Sequence, residues 1–98
     1  MKMKTFIVLF NVDYISDSRR LAESIENQHF EVENQSNCET ISALSIREAI
    51  IKELGLVDGD KEFVSVYPLT DFMDDFNNED LNADLYFMSY VTGSIINN

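Results

Sequence analysis

The segment Val64 to Val91, VSVYPLTDFMDDFNNEDLNADLYFMSYV, restricts the fold more than any other part of the chain. It consists of two bulky, strand-like runs flanking an acid-rich stretch. From 63 to 67, Phe63, Ser65 and Tyr67 alternate with Val64 and Val66. A period of two, rich in β-branched and aromatic residues, predicts a strand. Pro68 stops it, because it has no N–H for a ladder. In 85–91, Leu85, Phe87, Ser89 and Val91 oppose Tyr86, Met88 and Tyr90. Both faces carry bulk, so this second strand needs cover on both sides, from helices or from another subunit. Between the two, Leu69, Phe72, Met73 and Phe76 recur at helical spacing, with Thr70 or Asp71 as the cap. Asp71, Asp74 and Asp75 form an acidic patch early in that helix, where the dipole favours negative charge.

The rest of the chain supplies partners for these strands. Thr5–Val12 is apolar nearly throughout and predicts a central strand covered on both faces. Ser16-Asp17-Ser18 offers N-caps for a helix reaching about Asn27, with Leu21, Ala22 and Ile25 inward and Arg19, Glu23 and Glu26 outward. Phe30 and Val32 alternate with Glu31 and Glu33, a strand with one wet face, and 39–43 is the returning strand of a hairpin. Ser45-Ile46-Arg47-Glu48 is a capping box opening a helix that buries Ile46, Ala49, Ile50 and Leu54. Gly55 suits its left-handed terminus and Leu56 the hydrophobic contact after it. Gly93 closes the last strand, leaving 94–98 as a flexible tail. The order is β-α-β-β-α-β plus a final helix and strand: one α+β domain over 1–93, with a ferredoxin-like sandwich as its first six elements.

Charge narrows the function classes. The net charge is −11, and from Glu62 to Asn98 there are seven acids with no Lys or Arg. A phosphate backbone is repelled by such a surface, since nucleic-acid binding needs clustered cations. The expected partner is therefore another protein, with no nucleic acid. A surface that mimics DNA to inhibit a DNA-binding protein is the more specialised use of the same charge, and solubility the plainer one. Cys38 is alone, so no intramolecular disulfide framework exists, which fits a reduced cytoplasmic setting. Met1–Val12 imitates a signal peptide, but its apolar run is short and lacks a small-residue cleavage site; no stretch approaches a membrane span.

Candidate chemistry is sparse. An EF-hand register starting at Asp75 finds Asn77 and Glu79, but Asp80 replaces the required Gly and Tyr86 the bidentate Glu. No metal site and no cofactor are expected. His29 is the only histidine, so it cannot build a His-based metal site alone. No G-x-S-x-G, P-loop or H-E-x-x-H motif occurs. Tyr86, Met88 and Tyr90 share one strand face, and an exposed aromatic patch there reads as a protein interface, with a homodimer expected.

The run Lys4-Thr5-Phe6-Ile7-Val8-Leu9-Phe10-Asn11-Val12, the polar helix with Arg19-Arg20, and the hairpin and helix that follow resemble the small CRISPR-associated ferredoxin-like endoribonucleases. In that family the first strand ends in an aromatic–Asp pair whose carboxylate helps bind a metal between two subunits. Here the pair is Phe10-Asn11, and Asp13, two residues on, is the candidate ligand. The resemblance implies the alternative function: a metal-dependent nuclease, or a degenerate relative, with Asp13 catalytic. The block from Tyr67 to Asn77 looks like that of small uncharacterised proteins of gut anaerobes. The leading expectation from the residues is an acidic protein-binding or regulatory module without catalytic activity.

Overall fold

The computed structural model describes residues 3–33, 41–70 and 85–96. Their elements run β1 (Lys4–Asn11), α1 (Ser18–Ile25), β2 (His29–Glu33), α2 (Ala43–Leu54), a 3-10 turn (Lys61–Phe63), β3 (Val64–Pro68) and β4 (Tyr86–Ile96). The acidic helix expected after Thr70, with Asp71, Asp74 and Asp75, lies outside the described residues, as does Cys38.

The four strands form one mixed sheet in the order β2-β4-β1-β3. β1 runs antiparallel to both β3 and β4, and β2 runs parallel to β4. The molecule is α+β, but its strand order departs from the expected β-α-β-β-α-β. Ile41 and Ser42 are not a returning hairpin strand, and Ala43 already begins α2. Glu39 and Thr40 fall outside the described residues. Ile41 instead packs into the core beneath the sheet, leading directly into α2.

β1 is central, as its composition requires. Phe6, Val8 and Phe10 point to the layer of α1 and α2, where Leu21, Ala22, Ile25, Ile46 and Ile50 meet them. Ile7 and Leu9 point the other way and are buried against Tyr67, Leu69 and Tyr86. An apolar strand with no wet face is stable only between two covered surfaces.

β4 is longer than its sequence suggests. Lys4 through Asn11 of β1 pair with Gly93 back to Tyr86, while His29–Glu33 of β2 pair with Thr92–Ile96. Gly93 is therefore inside the strand, and Ser94–Ile96 carry on as strand rather than tail. Its glycine serves close approach instead of termination: a Cβ there would stand 2.9 Å from Ile41 Cδ1 and closer still to Ile46 Cδ1.

Both helices end in satisfied backbone. α2 begins two residues before the Ser45 capping box. Ser42 is the N-cap, and its Oγ accepts a hydrogen bond from Ser45 N at 3.2 Å. Gly55 ends α2 in the left-handed conformation, φ 64°, and Leu56 N donates to Ile51 O. α1 spans eight residues, and its last carbonyls find partners outside the helical ladder. Ala22 O accepts from Ser89 Oγ of β4, Glu23 O from Glu26 N, Ser24 O from Gln28 Nε2, and Ile25 O from Gln28 N. Arg47 of α2 donates through Nε to Val64 O and through a terminal nitrogen to Lys61 O, so one guanidinium clamps the entry to β3.

Candidate functional surface on β4

Strand alternation decides which residues of β4 reach solvent. Phe87, Ser89, Val91 and Gly93 face the helices; Tyr86, Met88, Tyr90, Thr92 and Ser94 face the opposite side. The expected trio Tyr86, Met88 and Tyr90 thus shares one face. Tyr86 is half-buried beside Ile7 and Leu9. Met88 is 40% exposed and Tyr90 45%; with Leu85 at 37% and Phe87 at 40%, four large apolar side chains within six residues stand in water. A cluster of that density on one strand marks an interaction surface more often than scattered single residues do.

Among the described residues the edge of this stretch is open as well. Phe87, Ser89 and Val91 exchange their backbone hydrogen bonds with β1, so Tyr86, Met88 and Tyr90 direct their N–H and C=O groups to the other side. At Tyr90 the chain supplies partners: Asn27 N donates to Tyr90 O at 2.8 Å, and Tyr90 N donates to Glu26 Oε2 at 3.2 Å. At Met88 no partner exists among the described residues. Asn27 takes a positive φ of 64°, which turns the chain out of α1 and down onto the lower half of β4. β2 consequently starts only opposite Thr92, and the upper half of the edge stays unpaired by it.

Beside that edge, α1 and β4 enclose an open groove of about 590 Å³. It is lined by Ala22 and Phe87, by Met88 at the strand edge, and by Arg19, Glu23 and Glu26. Arg19 Nε is held by Glu23 Oε1 at 3.1 Å and Glu26 Oε2 accepts from Tyr90 N, so one oxygen of each carboxylate is engaged within the groove.

The remaining candidates lie elsewhere. Asp13 sits exposed in the turn after β1, where its N–H donates to Asn11 Oδ1 at 2.8 Å. Asn11 is thus engaged in a local turn. Among the described residues no group of three His, Cys, Asp or Glu side chains converges on a common point, so Asp13 is not joined by further ligands there. His29 is bracketed by two hydroxyls, Nδ1 to Thr92 Oγ1 at 2.7 Å and Nε2 to Ser94 Oγ at 2.9 Å. Ser94 is fully buried, so the arrangement stitches the β2–β4 junction. Asp58 is exposed; its hydrogen bond and ion pair with Lys61, at 2.8 Å, hold its carboxyl below the ordinary 3.8. No helix among the described residues is long and apolar enough to cross a membrane.

The Phe87 and Glu26 contributions were not separable from the strand pattern alone. Sequence alternation places Phe87 on the same face as Ser89 and Val91, which are buried, yet Phe87 itself is exposed. Comparison with known proteins finds no matching family, no matching curated relative and no matching solved structure.

Proposed function

We propose that the chain is an acidic, non-catalytic module that binds other polypeptides through Leu85 and the Tyr86–Tyr90 stretch of β4. The observation that carries this reading is the concentration of exposed apolar side chains on that stretch, Leu85, Phe87, Met88 and Tyr90, beside a strand edge with no partner at Met88 among the described residues. Exposed apolar area of this kind costs free energy in the isolated chain, and burial against a partner recovers about 25 cal/mol per Å². Aromatic residues and Met are the side chains enriched where protein interfaces form. The charge supports the same reading, since an excess of acid disfavours polyanions and favours polypeptides with basic groups.

The test is selection of a random-sequence display library on the purified chain. Enrichment of a shared sequence pattern, lost on Tyr90→Glu and retained by Glu53→Gln on the exposed side of α2, is the expected result. Failure to enrich any pattern, together with a monomeric mass in light scattering, removes the reading.

A further inference from the structure

We infer that the upper edge of β4 takes an extended basic segment of a partner protein as an added strand. This rests on the protein-binding reading above and goes further by naming the mode and the chemistry. The backbone supplies the mode. Tyr86 and Met88 direct N–H and C=O groups outward, and the chain's own outer strand, β2, begins only opposite Thr92. An incoming strand lies in line with β2 on the same edge and restores the ladder there, which is how peptide addition to sheets gains affinity. Glu26 already shows what the edge accepts: its carboxylate occupies, at Tyr90 N, the position of a neighbouring strand's carbonyl.

The side chains supply the chemistry. A residue of the incoming strand opposite Phe87 shares Phe87's face and enters the groove under α1. There it meets Ala22 and Phe87 and the second oxygens of Glu23 and Glu26, whose first oxygens are taken by Arg19, also in the groove wall, and by Tyr90 N. Lys or Arg fits this shape: the aliphatic stem covers the ring and the cation reaches those second oxygens. The next residue, opposite Met88, lies on the other face between Met88 and Tyr90, where an apolar side chain is matched. The recognised pattern is basic–apolar alternation over about four residues, about 13 Å of strand. A second copy of the chain fits less well, because both copies carry −11 and bring Glu23 and Glu26 to the same edge.

The experiment uses fluorescein-labelled peptides of about eight residues alternating lysine with valine, a glutamate–valine counterpart, and the lysine peptide N-methylated at alternate positions in both registers. Fluorescence anisotropy with the full chain is expected to show the lysine peptide binding at least about tenfold tighter than the glutamate one. N-methylation, which removes ladder donors and leaves the protein unaltered, is expected to abolish binding. Glu23→Gln narrows the charge preference by about two- to fivefold. Raising salt weakens the lysine peptide, whereas self-association of two acidic copies strengthens with salt. Equal affinity for lysine and glutamate peptides, undiminished binding after N-methylation, or a salt-promoted dimer that excludes the peptide overturns strand addition. If Tyr90-dependent library binders persist while the peptides fail, the docking stretch stands and strand addition alone is lost.

Discussion

At Gly93 a single hydrogen atom sets the spacing between sheet and helix layer. Ile46 and Ile41 project onto its Cα, and no side chain fits between them and β4. Gly93→Ala is expected to destabilise the fold by about 1–3 kcal/mol, the usual cost of overpacking. Urea unfolding checks this through a lower midpoint at unchanged slope. Ile46→Val in the same background is expected to recover part of the loss, because it removes the methyl that the new Cβ strikes. Composition alone presents Gly93 as a strand terminator, the ordinary reading of an isolated glycine. The close approach that makes it a strand-interior residue is a long-range contact between 93 and 46, beyond the reach of local pattern.

Among the elements, the two helices are held by different means, and their caps respond differently to mutation. α2 has twelve residues, a side-chain N-cap at Ser42 and a left-handed Gly55, all local devices. α1 has eight residues and no side-chain N-cap hydrogen bond; Asp17 pairs with Arg20 at 3.1 Å instead. Its C-terminal carbonyls depend on β4 and on Gln28. Ser42→Ala is expected to cost about 1 kcal/mol, the normal worth of an N-cap. Ser89→Ala is expected to cost about 1–3 kcal/mol, because a buried carbonyl at Ala22 loses its donor. Hydrogen exchange separates the two. Ser42→Ala raises exchange in the first turn of α2 only, whereas Ser89→Ala raises it across the end of α1 and the adjoining part of β4. Capping by Ser42 is legible three residues before Ser45, yet the Ser45–Glu48 pair offers an equally good local pattern. In the structure Ser42 is the cap, and Ser45 supplies the amide that it accepts from.

For the whole molecule, charge and topology act in opposite directions. Eighteen acids against seven Lys and Arg repel one another in the compact state, while β1, buried on both faces, holds the sheet together. Raising ionic strength from low to about 0.5 M is therefore expected to stabilise the fold by on the order of 1 kcal/mol, which for a domain of this size is about 4–8 °C in Tm. Thermal unfolding followed by circular dichroism checks it; a Tm that is flat or falls with sodium chloride contradicts it. The same salt weakens an attached basic peptide, so stability and binding move oppositely along one axis.

The amino-acid sequence by itself determined the α+β class, the doubly covered β1, the helical stretches around Leu21 and Ile46, and the face shared by Tyr86, Met88 and Tyr90. Each of these follows from hydrophobic period, a property of neighbours two to four residues apart. Tertiary structure alone decided that β2 runs parallel to β4 instead of forming a hairpin, that β4 continues through Gly93 to Ile96, and that β2 leaves the edge at Met88 uncovered. Those outcomes depend on which strand lies beside which. Strand pairing joins residues as far apart as His29 and Thr92, and its selection by the packed core leaves no trace in local periodicity.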